Sequence, residues 1–294
     1  MIITTEGIVL RQRKIANNRR MIVLFTRQYG KISAGTSINE KSRSKAALAL
    51  RPFTYAEYDI FKGRETYSIN SASAQKSFYS IGEDLDRFMA ASSFIEYLDK
   101  VLGEEEPMPK LFDLSLQFLE SVSKSGKNAE TLLYAFIFKS LSLLGVAPEM
   151  SCCVNCGKQI EDFWIEAKDD RADSEGIAGR DDRADSKGVA GRDGRTGKES
   201  NAGKKRIAAF SVSGGGLICP DCEASEKTAG DSLIYRPSFD IIGVFRYFGS
   251  KPLKTFEKAG LRPEAAAGTR EILSEYISRY LGTDVLRQQT VQEV

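Results

Sequence analysis

The sequence of 294 residues contains no histidine and a single tryptophan. Without histidine, the Ser-His-Asp and Cys-His forms of nucleophilic catalysis, the His-Glu-x-x-His metalloproteases and the mixed Cys/His zinc fingers are all excluded. Histidine is also the side chain that most often transfers protons near neutral pH, so acid–base catalysis lacks its usual residue. The chain also lacks the Gly-x-x-x-x-Gly-Lys-Ser/Thr loop that cradles nucleotide phosphates. These absences favour a binding protein over an enzyme.

Long apolar runs are also absent, and none approaches the ~20 residues that a transmembrane helix requires. Residues 1–7 contain no basic stretch followed by an apolar one, so we expect no secretory signal peptide. Hydrophobic residues make up 41% of the chain and charged residues 28%, which is the balance of a soluble globular protein. The sequence therefore predicts a cytoplasmic protein of two or three domains with no membrane contact.

Four of the five cysteines form two Cys-x-x-Cys pairs, Cys153 with Cys156 and Cys219 with Cys222. Two intervening residues let the backbone turn tightly enough for both sulfurs to reach one ion, and two such pairs are typical of a tetrahedral zinc site. A redox pair would need only one such motif, and buried thiols would need none. Four thiolates close the coordination shell, so we predict a structural Zn²⁺, with Cys152 taking no part.

Charge is distributed unevenly, although the net charge is only +2. Residues 1–80 contain 14 Lys/Arg against 5 Asp/Glu, whereas residues 81–149 contain 6 against 12. This asymmetry predicts that the first region meets a polyanion and that the second keeps clear of it. Candidate DNA contacts lie in or beside the first turns and in a basic loop that follows them: Arg11, Arg13, Lys14, Arg19, Arg20, Arg27, Lys31, Lys41, Arg43 and Lys45.

Alternating apolar and polar residues predict five short strands in the first 80 residues, over 2–13, 21–26, 31–34, 53–61 and 66–73. Gly and Asn turns between them indicate a small barrel or sandwich. Phe25 is expected in its core. Tyr29 lies at a turn, where it could either pack or stack on an unpaired base.

From Ile81 the apolar period changes to about 3.6 residues, which predicts helices. The expected core face of the first helix consists of Ile81, Leu85, Phe88, Met89, Ile95, Leu98 and Leu102. A second helix spans about 111–122, and a third, over 129–144, is apolar nearly all round and belongs at the centre of a bundle. Helices at 238–248, 252–258 and 263–281 complete that bundle. Three domains are thus predicted: 1–80, then 81–149 together with 233–287, and a zinc-binding insertion at 150–232.

A tandem repeat lies between the two cysteine pairs. Residues 169–180 read DDRADSEGIAGR, and residues 181–192 read DDRADSKGVAGR. Charged residues, Gly and Ala dominate with little to bury, so we predict a disordered loop over about 168–205. The loop would project from a ribbon whose two strands are Phe163-Trp164 and residues 207–212.

Several segments together make the chain resemble the RecO family of bacterial recombination-repair proteins. They are residues 5–11 (TEGIVLR), 24–32 (LFTRQYGKI), 50–53 (LRPF), 144–145 (LG), 153–157 (CVNCG) and 215–222 (GGLICPDC). The resemblance implies an N-terminal OB-fold, and hence an α+β multidomain protein in which a helical bundle carries the zinc ribbon. It implies binding of ssDNA and dsDNA, annealing of complementary strands, and work with RecR and single-stranded DNA-binding protein (SSB) to load RecA. It also implies association with the nucleoid.

Two other functions remain open on the sequence alone. One is a subunit of a nucleic-acid-processing enzyme, which the missing histidine, nucleotide loop and carboxylate cluster disfavour. The other is a zinc-stabilised scaffold that binds only proteins. Salt-sensitive, ATP-independent binding to single-stranded DNA would distinguish a RecO-like DNA-binding mediator from both of these alternatives.

Overall fold

The computed structural model describes residues 1–15, 19–38, 44–64, 66–163, 177–178, 209–225, 233–236 and 239–287. Its first domain is a closed five-stranded barrel with the strand order β1-β2-β3-β5-β4, in which β1 also pairs with β4. The strands are Ile2–Lys14 (β1), Arg20–Thr26 (β2), Gly30–Thr36 (β3), Thr54–Lys62 (β4) and Tyr67–Ser77 (β5). Only β3 and β5 pair in parallel. This order confirms the predicted OB-type barrel.

Strands β1 and β2 are buried on both faces. Val9 and Leu24 point into the barrel, whereas Ile8, Val23 and Phe25 belong to the core that the barrel shares with the helices. Both faces of these strands are apolar because one face fills the barrel and the other packs against the second domain. The prediction that Phe25 is a core residue is confirmed, since its ring lies 5.3 Å from that of Phe112.

A short helix, Lys45–Ala49 (α1), lies between β3 and β4, where the sequence predicted only a basic loop. The Ser44 side chain accepts a hydrogen bond from the N–H of Ala47 and so caps the helix. Ala49 and Leu50 are buried in the barrel core, and the hydroxyl of Tyr58 donates to the Ala49 carbonyl at 2.6 Å. Helix α1 therefore packs against one end of the barrel.

The second domain is a helical bundle drawn from two stretches of the chain. Its helices are Leu85–Val101 (α2), Pro109–Lys124 (α3), Ala129–Leu143 (α4), Ile241–Ser250 (α6) and Pro263–Leu281 (α7). Helix α4 is buried nearly all round, which confirms its predicted central position. The Phe136 ring lies 4.8 Å from Phe94 and 5.2 Å from Phe118, at the centre of this aromatic core. None of the described helices is long and apolar enough to cross a membrane.

The predicted core face of the first helix is partly wrong. Leu85, Phe88 and Met89 are exposed by 71%, 47% and 60%, although Ile81, Ile95, Leu98 and Leu102 are buried as expected. The buried face of α2 begins only at Ala90. These three residues follow the apolar period of the helix but stay largely exposed, and of the three only Phe88 has a ring contact among the described residues, with Phe53 at 6.0 Å.

The region that carries the cysteines contains a three-stranded sheet, β8-β7-β9, formed by Ala209–Ser211 (β7), Gly216–Ile218 (β8) and Ile234–Tyr235 (β9). Strand β7 confirms the predicted strand over 207–212 for residues 209–211. Phe163 lies in a turn and not in a ribbon strand, so that half of the prediction is wrong; Trp164 and residues 207–208 lie outside the described residues. The tight turn at 212–215 explains the difference, because it lets β7 pair with the neighbouring β8. Helix α5 (Pro220–Glu223) follows β8.

This region packs on the bundle: the Phe210 ring lies 5.4 Å from that of Phe245, and the hydroxyl of Tyr280 donates to the Val212 carbonyl at 3.0 Å. The predicted disorder of 168–205 concerns residues outside the described ranges, except for Ile177–Ala178 (β6). This two-residue strand pairs antiparallel with Gly260–Leu261 (β10).

Candidate metal centre and nucleic-acid interface

The structure brings the four predicted ligands Cys153, Cys156, Cys219 and Cys222 together. All four Sγ atoms lie within 4.8 Å of one another, and those of Cys156 and Cys219 are 3.7 Å apart. Four bonds of 2.3 Å at tetrahedral angles would separate the sulfurs by about 3.8 Å. The cluster could therefore hold one metal ion. Cys152 does not belong to it.

Main-chain hydrogen bonds hold the two Cys-x-x-Cys turns side by side. Gly157 has φ of 73°, a left-handed conformation that suits glycine, and its N–H donates to the Cys153 carbonyl at 2.9 Å. The N–H of Val154 donates to the Leu217 carbonyl at 2.9 Å, which joins the first turn to β8. The N–H of Cys219 donates to Sγ of Cys153 at 3.3 Å. These bonds fix the four sulfurs on a rigid frame.

The thiol pKa values reflect the crowding of four sulfurs. Burial on its own raises the pKa of Cys153, but N–H groups that donate to its sulfur lower the value to about 7. Burial and the neighbouring sulfurs raise the pKa of Cys219 and Cys222. The backbone thus stabilises the thiolate of Cys153, and a cation bound between the sulfurs would favour the thiolate forms of Cys219 and Cys222.

Three of the predicted DNA-binding cations face the helical domain, and we call Arg11, Arg27 and Lys31 the helix-facing cations. Arg11 lies 3.4 Å from the carboxylate of Asp99 on α2. Nζ of Lys31 donates to the Asp99 carbonyl at 2.8 Å and lies 3.4 Å from the carboxylate of Glu104. These contacts join β1 and β3 to the second domain.

Arg27 is the most constrained member of that set. Its guanidinium contacts the carboxylate of Glu6 and lies 2.6 Å from that of Asp113, and it also stacks 4.9 Å from the centroid of the Phe112 ring. The hydroxyl of Tyr55 donates to Glu6 at 2.5 Å. Hydrogen bonding by Tyr55, followed by the contact with Arg27, lowers the pKa of Glu6. Burial and this same bond raise the pKa of Tyr55 to about 12.

A different set lies where β1 ends and β2 begins, and we call Arg13, Lys14 and Arg19 the barrel-end cations. All three are exposed, and the described part of the chain provides no acidic partner for them. The N–H of Ile15 donates to the Arg19 carbonyl at 2.8 Å and narrows the β1–β2 connection. Lys45, at the start of α1, is also exposed. Lys41 and Arg43 lie outside the described residues.

Arg20 differs from both sets because it is buried within the barrel wall, with 5% exposure. Its guanidinium donates to the Gln12 side chain at 3.1 Å and to the Ile38 carbonyl at 2.8 Å. These bonds tie the start of β2 to β1 and to the segment after β3. Arg20 thereby holds in place the start of β2, next to the barrel-end cation Arg19. Tyr29 is half-buried against the barrel core.

The sequence did not predict that acidic residues of the helical domain form ion pairs with basic residues of the barrel. Besides Asp99, Glu104 and Asp113, two more form interdomain pairs: Glu105 with Lys62 at 3.6 Å and Glu120 with Lys76 at 3.2 Å. The opposite charges of residues 1–80 and 81–149 were the available signal. A strongly basic segment next to a strongly acidic one also predicts that the two attract each other.

A closed barrel of OB topology, a helical domain packed on it and a four-cysteine cluster that could hold a metal ion define a multidomain protein built on an oligonucleotide-binding fold. Comparison with known families agrees. The model described as Recombination protein O N terminal matches residues 1–78, and that described as Recombination protein O C terminal matches residues 82–190.

Curated relatives match over nearly the whole chain. The chain is 35% identical to DNA repair protein RecO of Caldanaerobacter subterraneus subsp. tengcongensis over 280 residues, 95% of this chain and 93% of that protein. It is 26% identical to DNA repair protein RecO of Alkaliphilus metalliredigens over 281 residues, 96% and 94% of the two chains. The chain therefore belongs to the RecO family of DNA repair and recombination proteins.

Proposed function

We propose that this protein is a non-enzymatic mediator of DNA repair and homologous recombination that grips DNA through the free end of its barrel. The observation that carries the proposal is the set of barrel-end cations, which are exposed and have no acidic partner in the described part of the chain. Phosphate neutralisation by such cations gives binding to ssDNA and dsDNA without sequence preference. Lys45, exposed at the start of α1, is a further candidate contact, as are Lys41 and Arg43 from their positions in the sequence.

Strand annealing follows from the same electrostatics. Two complementary strands repel each other through their phosphates, and a cationic surface that binds both lowers this repulsion. The step needs no nucleotide and no proton transfer, which agrees with a sequence lacking both histidine and the nucleotide-phosphate loop. The protein would therefore act by holding strands and not by turnover.

The metal that we propose for the four-cysteine site is a structural Zn²⁺. An all-thiolate set at tetrahedral spacing suits zinc, and four protein ligands leave no position for water. Buried Cys153 and Cys219 belong to the same core as the bundle helices. Zinc would thus fix the Cys-x-x-Cys turns against α6 and α7 and would have no direct part in DNA binding.

Family membership supports RecR and SSB as partners, with RecA loaded onto SSB-coated ssDNA as the outcome. The exposed apolar residues at the start of α2 support a role in protein contacts, because large apolar side chains grouped on a surface commonly mark interaction sites. They lie on the helical domain, so a partner could bind there while the barrel end holds DNA. The cellular location that fits this work is the cytoplasm, at the nucleoid.

The test is a strand-annealing assay with the full-length protein, without nucleotide, over a salt series. The triple variant Arg13→Glu, Lys14→Glu, Arg19→Glu should lower the annealing rate by roughly 100-fold at moderate salt, because three phosphate contacts become repulsive. The wild-type rate should itself fall steeply as salt rises. Thermal unfolding should be unchanged in the variant.

A matched control reverses three exposed lysines on the helical domain, Lys251, Lys254 and Lys258, each to Glu. This control changes net charge by the same amount and should anneal within about twofold of wild type if contact, and not overall charge, decides. Equal loss in both triples would contradict a localised barrel-end site. ATP-dependent turnover of DNA would favour the enzyme-subunit alternative instead.

A further inference from the structure

The outer face of the β1–β2 ribbon carries arginine and apolar side chains in alternation. Arg13 is paired with Met21 in the register of the two strands. The N–H of Ile15 donates to the Arg19 carbonyl at 2.8 Å, so the ladder continues with Ile15 opposite Arg19. Alternate residues of a strand share a face, so these four side chains lie on the same side as Val23, which is the side turned away from the barrel interior. We call Arg13, Ile15, Arg19 and Met21 the ribbon face.

Ile15 and Met21 are the apolar members of the ribbon face, and neither is a core residue. Ile15 is 47% exposed and Met21 is half-buried. In the described part of the chain, neither belongs to the apolar cluster inside the barrel or to the one shared with the helices. As diagonal neighbours across the two strands they lie about 7 Å apart, so one flat ring can contact both. They therefore form a small apolar site on a hydrogen-bonded ribbon.

Arg13 and Arg19 occupy the other two corners of the ribbon face. Both are exposed and have no acidic partner among the residues that the structure describes. The buried side chain of Arg20 fixes the start of β2 to Gln12, so the two arginines are carried by an anchored ribbon. A single strand of DNA also presents charge and flat rings in alternation, as phosphates and unpaired bases. In a duplex the base faces stack on their neighbours, and only the base edges are exposed in the grooves.

We propose that Ile15 and Met21 contact the face of an unpaired base, so that the ribbon face binds ssDNA in preference to dsDNA. This inference rests on the proposed function, because Arg13 and Arg19 must hold the phosphates on either side of that base. Every base has a flat face, so the contact selects single strands without selecting a sequence. A duplex formed by annealing hides its base faces and loses the contact, which favours release of the product over release of the strands.

Affinities for ssDNA and dsDNA over a salt series test this in the full-length protein. Ile15→Ser with Met21→Ser should lower ssDNA affinity by about tenfold, because apolar area is no longer buried against a base, and should leave dsDNA affinity within about twofold. The salt slope should be unchanged, since no charge is lost. The matched control makes the same substitutions at Ile2 and Met89, which are 63% and 60% exposed, and should leave ssDNA affinity unchanged. Equal loss for ssDNA and dsDNA in the ribbon-face variant would overturn the base contact.

A second variant tests the same contact through a gain of affinity. Ile15→Trp should raise ssDNA affinity by about fivefold, because an aromatic ring stacks on a base better than an aliphatic side chain does. Made together with Trp164→Phe, which removes the only native tryptophan, it should show fluorescence quenched at least about twofold more by saturating ssDNA than by dsDNA.

The two proposals fail in different ways. If the wild type binds DNA with a steep salt dependence but ssDNA affinity is the same in the wild type, the Ser variant and the Trp variant, the base contact is refuted and the proposed function stands. If the wild type shows no salt-dependent DNA binding, or if the Glu triple variant of the barrel-end cations binds as the wild type does, the proposed function fails and the base contact fails with it.

Discussion

The barrel carries two sets of cations, one paired with the helical domain and the other exposed to solvent. The helix-facing cations Arg11, Arg27 and Lys31 contact carboxylates or carbonyls of the helical domain. The barrel-end cations are exposed and have no such partner among the described residues. Arg11 and Arg13 lie on the same strand, two residues and therefore about 7 Å apart. Only the first lies within reach of Asp99 on α2.

The difference teaches that a count of basic residues does not locate a phosphate-binding surface. A cation paired with a carboxylate has already lost much of its field, and DNA would have to displace that partner. A free cation at the end of a barrel keeps its field for a ligand. The basic residues of 1–80 therefore divide into a set that joins the two domains and an exposed set that we propose binds DNA.

The largest expected effect is the loss of folding stability when a cysteine of the cluster is replaced, and it tests the structural role of the cluster separately from DNA binding. Cys153→Ser or Cys219→Ser should remove the metal and lower the free energy of unfolding by about 5 kcal/mol or more, because bound zinc contributes directly to folding. Metal per chain by elemental analysis and thermal melting measure this. Cys152→Ser is the matched control and should keep both values. Full metal content in Cys153→Ser would show that the ligand set is wrong.

The next-largest expected effect is a loss of stability when the core shared by the barrel and the helices is disrupted. Phe112→Ala should cost about 3–5 kcal/mol, because the buried ring contacts Phe25, Tyr55 and the guanidinium of Arg27. Denaturant unfolding measures the change. Met89→Ala is the control, and as an exposed residue it should change stability by less than about 0.5 kcal/mol. Similar losses in both variants would contradict the packing described here.

Replacing one arginine from each set compares the two sets of cations directly. Arg27→Met should lower stability by about 1 kcal/mol, since its partly exposed ion pairs with Glu6 and Asp113 are lost, and should leave ssDNA affinity within about twofold. Arg13→Met should do the reverse, with unchanged stability and affinity reduced about threefold or more. Each variant is thus the control of the other. A loss of DNA affinity in Arg27→Met equal to that in Arg13→Met would remove the distinction between the two sets.

The smallest effect concerns pH. Tyr55 and Arg27 lower the pKa of Glu6 in the folded protein, so an unfolded Glu6 takes up a proton at a higher pH than a folded one. The resulting stabilisation is complete above the unfolded pKa of about 4.3 and is lost as pH falls through the folded value. Glu6→Gln should therefore flatten the fall in melting temperature between about pH 5 and pH 3. An unchanged slope would mean that Glu6 contributes nothing to it.

Much of the fold followed from the sequence because its signals are local. The alternation in residues 54–62, with Ala56, Tyr58 and Ile60 buried, predicted β4 within a residue of its observed bounds. Two Cys-x-x-Cys pairs predicted one cluster across an intervening segment of 62 residues, because no other chemistry explains the matched spacing.

What sequence reasoning missed depends on neighbours distant in the chain. Leu85 and Met89 follow the apolar period of α2, but only packing decides where the covered face begins. Helix α1 has five residues, too few for a periodic signal. The pairing of Arg11 with Asp99 spans two domains and leaves no local pattern. Arg20 was grouped with the DNA-binding candidates, although it is buried and bonded within the barrel, so its DNA contact remains only a prediction.

The most direct test measures ssDNA affinity against salt for two matched triple variants. One replaces the barrel-end cations with Gln, and the other replaces the helix-facing cations with Gln, so both remove three positive charges. We predict that the first lowers the slope of log K against log salt by about 2, as three lost phosphate contacts require, and that the second leaves it unchanged. An equal reduction in both variants, or a reduction only in the second, would contradict the account.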